Sequence, residues 1–337
     1  MLRRNKLFRR WLGFFLLAIS IALLIVLALE SSTVDEPIST NDTTTELAAA
    51  PASSLNDDEP KFLYPWQPYL FSEATAPEVS LPAPTRAGQQ VSGPSPSTDE
   101  PAISTIEGLD HLTGREPHHW GEFVPGVRST LPTDAPQIAL TLDACGGDYD
   151  AELITFLQQE EIPATLFVSG IWLRRHPGRV QELAADPLFE IANHGHRHLP
   201  CSVNGREALG IQGTGSLAEA YEEIEENARH IASLTGIRPH FYRSGTAHYD
   251  EICVELAEAL HHKVVGFDIL GDAGASYTAA QVHRALLNAQ PGSIVVLHMN
   301  RPQSGTAQGV RRAVPELREL GISFVNLSAF EFTPPDR

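Results

Sequence analysis

Cysteine is scarce in this chain of 337 residues, which contains three cysteines and no C-x-x-C pair. That shortage excludes a disulfide-stabilised scaffold and a zinc ribbon, because both need several closely spaced cysteines. Positive charge is also in deficit, since 24 Lys and Arg residues stand against 42 Asp and Glu residues for a formal net charge of −18. A chain with this much negative charge lacks the basic face that nucleic-acid-binding proteins show. The sequence also contains no internal repeat.

Three unlike segments underlie the average composition. Residues 1–29 carry five basic and no acidic side chains, residues 30–118 carry 15 acidic and 3 basic ones, and residues 119–337 carry 27 and 16. Nineteen consecutive uncharged and mostly apolar residues run from Trp11 to Leu29. As a helix they would span about 28 Å, close to a hydrocarbon core of about 30 Å. We therefore expect residues 1–29 to form a signal-anchor transmembrane helix.

The flanking charges predict the orientation of this helix. Basic residues precede the apolar run and Glu30 follows it, so the positive-inside rule places the N-terminus in the cytoplasm. We expect a single-pass protein of the cytoplasmic membrane whose catalytic domain is periplasmic or extracellular. A cleaved signal peptide is the alternative, because Val26-Leu27-Ala28 suits a cleavage site, and it would make the protein secreted. Residues 30–118 hold 12 of the 25 prolines and are typical of a disordered acidic linker.

From residue 119 onward, apolar strand-like runs alternate with helical patterns, and this part is predicted to be the catalytic domain. The predicted strands are Gln137–Leu142, Ala164–Val168, Phe189–Asn193, Phe241–Tyr242, Lys263–Phe267, Ser293–Leu297 and Ser323–Leu327. Apolar strands joined by crossover helices indicate a parallel sheet covered by helices, an α/β fold. A closed or nearly closed β/α barrel fits this length, and a doubly wound open sheet is the alternative.

Reactive side chains follow these strands at their carboxyl ends, the edge where β/α barrels place their chemistry. The set contains acids, imidazoles and one guanidinium: Asp143, His194, His198, Arg243, Asp268, Asp272 and His298. His194 and His198 are four residues apart, and this H-x-x-x-H spacing lets two imidazoles share one metal ion. The joint pattern predicts a metal-dependent active site at one rim of the fold.

Four short motifs in this set resemble those of a known family. Thr141-Leu142-Asp143, His194…His198, Arg243 and Leu297-His298 look like the motifs of polysaccharide deacetylases, the NodB-type carbohydrate esterases of family 4. The resemblance runs from about Gln137 to Leu327. It implies a distorted (β/α)7 barrel that removes acetyl groups from N-acetylated sugars of an envelope or extracellular polysaccharide. It also implies a divalent metal, usually zinc.

The resemblance assigns roles by position. Asp143 matches the general base, Arg243 the residue that orients it, and His298 the general acid. Asp272 is the better match for the aspartate that pairs with the acid, and Asp268 is the fallback. His194 and His198 match the metal-binding histidines.

The first motif departs from the family pattern. The family has two successive aspartates, the second a metal ligand, whereas Ala144 follows Asp143 here and Cys145-Gly146-Gly147-Asp148 comes next. Catalytic zinc normally has three protein ligands. The candidates for the third are Asp148, Asp143 itself, a water in the vacancy, and Cys145 as a softer ligand. Asp148 or Asp150 also suits the N-cap of the following helix.

Two cysteines are expected near the metal, because Cys145 follows the base and Cys201 lies three residues after His198. In an exported protein a disulfide between Cys145 and Cys201 is plausible, and Cys253 is expected to be a buried thiol. The leading hypothesis is a membrane-tethered N-deacetylase of a variant branch of the family. The alternatives are a non-catalytic glycan-binding relative that lost the metal aspartate, and an amidase or deformylase on another N-acyl substrate.

Overall fold

The computed structural model of the chain describes residues 109–332. The strands are β1 (Gln137–Ala144), β2 (Ala164–Val168), β3 (Phe189–Asn193), β4 (Phe241–Tyr242), β5 (Lys263–Val264), β6 (Ile269–Leu270), β7 (Ile294–His298) and β8 (Ser323–Phe324). The α-helices are α1 (Ala151–Gln159), α2 (Gly170–Arg175), α3 (Pro177–Ala184), α4 (Leu217–Thr235), α5 (Glu251–Ala259), α6 (Ala279–Leu286) and α7 (Thr306–Glu319). Single 3-10 turns occur at Asp110–Leu112 and Leu327–Ala329.

The strands form one parallel sheet with β1 near its middle. Neighbours run in the order β5-β4-β3-β2-β1-β7-β6, and β8 pairs with the beginning of β1. The residues of β1 are almost all buried, because β1 pairs with β2 on one side and β7 on the other. Within residues 109–332 the edge strands β5 and β6 do not pair with each other, so the sheet is a curled half-barrel. The predicted parallel α/β architecture is confirmed. The predicted barrel is not closed, because its two edge strands do not pair.

Local signals account for the helix boundaries. The hydroxyl of Ser216 accepts a hydrogen bond from the backbone N–H of Glu219 at the start of α4, and Gly236 ends that helix with a φ of 77°. Thr278 and Gln281 form a reciprocal capping box at the start of α6. These caps satisfy backbone groups that a helix end would otherwise leave unpaired.

Three local features differ from the predictions. The strand predicted over Ser323–Leu327 ends at Phe324, and Leu327 begins a 3-10 turn instead. The strand predicted over Lys263–Phe267 ends at Val264, because Val265 bridges to Arg128 and the chain then forms β6. The helix α2, which the pattern did not indicate, is capped by Ser169, whose hydroxyl accepts the N–H of Trp172. Helices this short carry little periodic signal.

The predicted anchor over residues 1–29 and most of the linker over 30–118 lie outside the described residues. Between residues 109 and 332 no helix is both long and apolar enough to cross a membrane. Residues 109–118, assigned to the linker by their composition, pack against α5 instead. Leu109 and Leu112 are buried there, and the guanidinium of Arg115 contacts both carboxylate oxygens of Glu255 at 2.7 and 2.9 Å.

Close packing between α6 and α7 fixes the end of the sheet that carries β7. A Cβ added to Gly309 on α7 would lie 2.3 Å from Cβ of Val282 on α6. Glycine is therefore what allows the two helices to approach each other. The approach matters for the site, because Thr306 in the first turn of α7 contacts Asp272 behind His298.

We predict that Gly309→Ala destabilises the protein by about 1–3 kcal/mol, since overpacking outweighs the helix propensity gained. Gly178→Ala on α3 is the matched control, because a Cβ there meets no atom within 4 Å. The control is expected to be neutral or stabilising by up to about 1 kcal/mol. Urea unfolding of both variants measures the difference, and equal effects would contradict the packing argument.

Candidate active site

The predicted reactive side chains come together at one edge of the sheet. Asp143 lies near the end of β1 opposite His298 at the end of β7, and the two residues are register partners. His194 directly follows β3, and Arg243 directly follows β4. Because all these strands are parallel, their carboxyl ends share one edge, which brings residues distant in sequence into contact.

Arg243 is the most constrained of these side chains. It is fully buried, and its guanidinium donates hydrogen bonds to Asp143 at 2.7 Å and to the hydroxyl of Thr141 at 2.9 Å. Two further donors reach the carbonyl oxygens of Val265 and Gly266 at 3.1 and 2.8 Å. Each nitrogen of the planar guanidinium thus has an acceptor, and these hydrogen bonds fix the orientation of Arg243 relative to the carboxylate of Asp143.

The environment of Asp143 keeps its carboxylate ionised. Burial alone would raise the pKa of Asp143, but the charge of Arg243, with smaller contributions from His194 and His298, holds that pKa below its ordinary value. One carboxylate oxygen accepts from Arg243, and the other lies 3.7 Å from Nε2 of His194. A buried, oriented carboxylate of this kind can accept a proton from a neighbouring water.

Cys145, His194 and His198 form a buried cluster that could hold a metal ion. Their candidate ligand atoms all lie within 4.8 Å of one another. Sγ of Cys145 is 3.6 Å from Nε2 of His194, and the two imidazole rings are 4.8 Å apart in an edge-to-face arrangement. Nδ1 of His194 is 3.0 Å from the carbonyl oxygen of Arg243, which leaves Nε2 facing the cluster.

The chemistry of this donor set suits a zinc-like cation. Thiolate and imidazole are the common protein ligands of zinc, and a thiol binds as its deprotonated form. Burial would raise the pKa of Cys145, but the imidazoles of His198 and His298 lower it to about 7. Burial lowers the pKa of His194 despite the nearby Asp143, which favours the neutral imidazole that a metal requires. The residues present therefore fit a divalent metal.

Asp148 lies apart from this cluster, contrary to its candidacy as the third ligand. Its side chain is exposed, and its backbone carbonyl accepts a hydrogen bond from the indole of Trp172. Gly147, with a φ of 78°, turns the chain just before it. Asp148 does not cap α1 either, because Asp150 holds that position and accepts the N–H of Leu153.

The disulfide expected between Cys145 and Cys201 is not formed. All three cysteines are free and buried. Cys201 lies instead in a core cluster with Cys253, on the side of the sheet where α5 packs, while Cys145 faces the two histidines. Cys253 is a buried thiol, as predicted.

His298, whose side chain is partly exposed at the pocket, and the fully buried Asp272 form the second pair of the site. One oxygen of Asp272 lies 2.8 Å from Nδ1 of His298, and the other accepts from the backbone N–H of His298 and the hydroxyl of Thr306, each at 2.8 Å. Burial would lower the pKa of His298, but Asp272 and then Cys145 raise it well above its ordinary value. Asp268, the fallback, contacts the hydroxyl of Ser293 and so lies outside this pair.

Glu223 supports the loop that carries both histidines, and sequence reasoning missed it. Its buried carboxylate accepts the backbone N–H groups of Arg197 and Leu199 at 2.9 to 3.1 Å. Burial raises the pKa of Glu223 to about 7 against the lowering effect of those donors. The signal was present, because Glu223 lies on the inward face of α4 beside Ile224 and Asn227.

The same loop contains backbone strain that its surroundings must sustain. His198 has a φ of 64°, a left-handed conformation that is uncommon outside glycine. Gly245 packs directly on its backbone, since a Cβ there would lie 2.3 Å from the carbonyl of His198. Strain of this kind concentrates at functional sites, where neighbouring contacts hold it in place.

An open cavity of about 100 Å³ lies over these groups. Asp143, Cys145 and His298 form its polar part. Its other walls are largely apolar: Leu209, Gly245, Thr246, Ala247, Phe267, Leu270, Ala273, Gly274 and Val296, with Glu122 beside them. The pocket therefore presents a carboxylate, an imidazole and a candidate metal ligand to one bound molecule.

Comparisons with known proteins identify one family with a similar sequence. Residues 130–265 match the family described as polysaccharide deacetylase. The uncharacterized protein YlxY of Bacillus subtilis is 22% identical over 56% of this chain, which spans only 56% of that relative. A chitooligosaccharide deacetylase of Sinorhizobium fredii is 26% identical over 56% of this chain and 89% of the relative.

The fold is similar to that of a solved structure. A pseudoenzyme of carbohydrate esterase family 4 from Bacillus anthracis superposes with a TM-score of 0.54, at 17% identity, over 61% of this chain and 69% of that one. At this identity the likeness concerns the fold alone.

We predict that Glu223→Gln destabilises the protein by about 1–3 kcal/mol. The amide NH2 would replace one carboxylate oxygen, so a backbone N–H of the loop would face another donor and lose its acceptor. Glu222→Gln is the matched control, since Glu222 is the exposed neighbour on the same helix. Thermal and urea unfolding of both variants provide the measurement. A loss of stability as large in the control as in Glu223→Gln would show that the loop does not depend on this carboxylate.

Proposed function

The region from residue 130 to residue 265 belongs to the polysaccharide deacetylase family, and from this premise we propose that the chain removes N-acetyl groups from N-acetylated sugars of a polysaccharide with the help of a divalent metal. One observation carries the proposal most strongly. An ionised carboxylate fixed by Arg243 and an imidazole fixed by Asp272 line the same pocket as the thiol of a Cys-His-His cluster.

Cys145, His194 and His198 are the residues that would hold the metal. When bound, a divalent cation of this kind supplies Lewis acidity and lowers the pKa of water towards about 7. Zinc is the metal we propose, since one thiolate and two neutral imidazoles match its usual ligands.

Asp143 acts as the general base in this scheme. The amide carbonyl of the acetyl group is a poor electrophile, and water attacks it only as it loses a proton. The carboxylate of Asp143 accepts that proton, and its ion pair with Arg243 keeps it ionised and directed at the pocket. The hydroxyl of Thr141 accepts a hydrogen bond from the same guanidinium, which helps to fix the orientation of Arg243 and of the Asp143 carboxylate paired with it.

His298 acts as the general acid. The C–N bond breaks only when the departing amine receives a proton, and the protonated imidazole of His298 supplies it. Asp272 holds Nδ1, so that Nε2 is the nitrogen left for the pocket, and its negative charge raises the pKa of the imidazole. The products are acetate, which takes the oxygen of water, and a free amine on the sugar.

Acetate release from N-acetylglucosamine oligomers by the purified full chain tests this function. We predict release that stops on chelation and returns with zinc, and a kcat lower by about 10²–10⁴-fold in Asp143→Asn and in His298→Gln. Asp148→Asn is the control, because this neighbouring aspartate is exposed and outside the cluster.

Two outcomes would contradict the proposal. Full activity in Asp143→Asn would remove the base from its role. A metal-loaded wild type that binds the oligomers but releases no acetate would favour a glycan-binding relative, and release of an acyl group only from other N-acyl compounds would favour an amidase.

A further inference from the structure

The loop that follows β1 carries the candidate thiol ligand, and side chains of one short helix hold its backbone. The loop comprises residues 145–148, and we name it the thiol loop. Three of its carbonyl oxygens lie within hydrogen-bond distance of a side chain from α2 or from a residue that caps α2. The pairs are Cys145 with Ser169 at 2.6 Å, Asp148 with Trp172 at 2.9 Å and Gly147 with His176 at 2.9 Å.

The three donors lie at helical spacing. Ser169 is the N-cap of α2, Trp172 lies within the helix, and His176 is its C-cap. Residues three and four positions apart lie on the same face of a helix, so this face of α2 is directed at the thiol loop. A carbonyl oxygen only accepts hydrogen bonds, so Nε2 of His176 carries the hydrogen and donates it. A hydroxyl, an indole and an imidazole therefore converge on one loop.

Packing against the core keeps this face of α2 in place. Trp172 is fully buried, and the imidazole of His176 lies against its indole with 4.8 Å between ring centroids. Arg174 and Arg175, which belong to the same helix, are exposed. The contact with Trp172 restricts rotation of the imidazole, so the donor of His176 stays directed at the carbonyl oxygen of Gly147.

The segment after β7 holds the other side of the thiol loop. The backbone N–H of Asp148 donates to the carbonyl oxygen of Asn300 at 3.1 Å, and that of Asp150 donates to Met299 at 2.9 Å. A Cβ added to Gly147, whose φ is 78°, would lie 2.9 Å from the same Asn300 oxygen. The loop is thus confined between two elements, and a shift in either direction breaks hydrogen bonds.

The position of the Cys145 sulfur depends on this backbone. A cysteine places its sulfur by rotation about a single torsion with three staggered positions, so the peptide groups beside it determine where the sulfur can lie. Ser169 holds both of these peptide groups. Its backbone N–H donates to the carbonyl oxygen of Ala144 at 3.2 Å, and its hydroxyl donates to that of Cys145. The sulfur then lies 3.6 Å from Nε2 of His194.

We propose that Ser169, Trp172 and His176 are positioning residues, which fix the thiol loop so that the sulfur of Cys145 faces the two imidazoles of the candidate metal site. They act through the backbone of the loop and lie outside the Cys-His-His cluster itself. The inference rests on the proposed function and deepens it, because it makes α2 the support of the candidate thiol ligand.

Cobalt titration of the full chain, after chelation, tests this role. A thiolate bound to Co²⁺ gives a near-ultraviolet charge-transfer band, which reports the sulfur directly. His176→Phe keeps a ring against Trp172 and removes the donor. We expect it to raise the Kd for Co²⁺ by about 10–100-fold, the usual effect of losing a group behind a metal ligand, and to weaken the band at saturation.

Two further variants and a control separate positioning from general packing. His176→Gln restores an N–H donor and should recover most of the affinity and of the band. Trp172→Phe removes the donor to Asp148, keeps a ring in the core, and should weaken the band as His176→Phe does. Arg175→Ala is the matched control, because Arg175 is an exposed residue of the same helix. Affinity and band should be unchanged in this control.

Three results would overturn the inference: an unchanged Kd and band in both His176→Phe and Trp172→Phe, the same change in Arg175→Ala, or an equal loss in His176→Phe and His176→Gln. A wild type without the band would also overturn it, because Cys145 would then not be a ligand.

Acetate release, measured beside the titration, separates this inference from the proposed function. A wild-type band that weakens in His176→Phe, without acetate release by wild type, would support the positioning role and reject the deacetylase. Acetate release by wild type, with a band that both variants leave unchanged, would keep the deacetylase and reject the positioning role.

Discussion

The buried pair between Arg243 and Asp143 is the interaction around which the site is arranged. Its guanidinium comes from the end of β4 and its carboxylate from β1, two strands separated in the sheet by β2 and β3. Removing one partner of a buried ion pair leaves an uncompensated charge and costs about 3–5 kcal/mol. The same contact lowers the pKa of Asp143. Arg243 therefore fixes both the orientation of this carboxylate and its ionised state.

The other functional groups are held by the same principle, in which each reactive side chain has a buried partner behind it. Asp272 supports His298, and Thr306 at the start of α7 supports Asp272 in turn. Glu223 gathers the backbone of the loop between the two histidines. The site thus depends on residues of α4 and α7 as well as on the strand ends, and the close approach of α6 and α7 contributes to it.

Sequence reasoning predicted the parallel α/β order and the rim residues, because apolar strands and the polar residues after them leave a strong local pattern. It did not select between Asp148 and Cys145, since that choice depends on how the chain turns at Gly147, which has a φ of 78°. It also assigned residues 109–118 to the linker by composition, whereas Leu109 and Leu112 are buried through contacts with α5, more than 100 residues away. Long-range packing of this kind has no local signal.

We propose that Cys145 completes a metal site with His194 and His198, beside Asp143, at the point where the family pattern has a second aspartate. X-ray absorption spectroscopy of the zinc-loaded full chain tests it most directly. The account predicts one sulfur scatterer together with imidazole scatterers in the first coordination shell, and loss of the sulfur in Cys145→Ser. A shell of nitrogen and oxygen only, unchanged by that substitution, would contradict it.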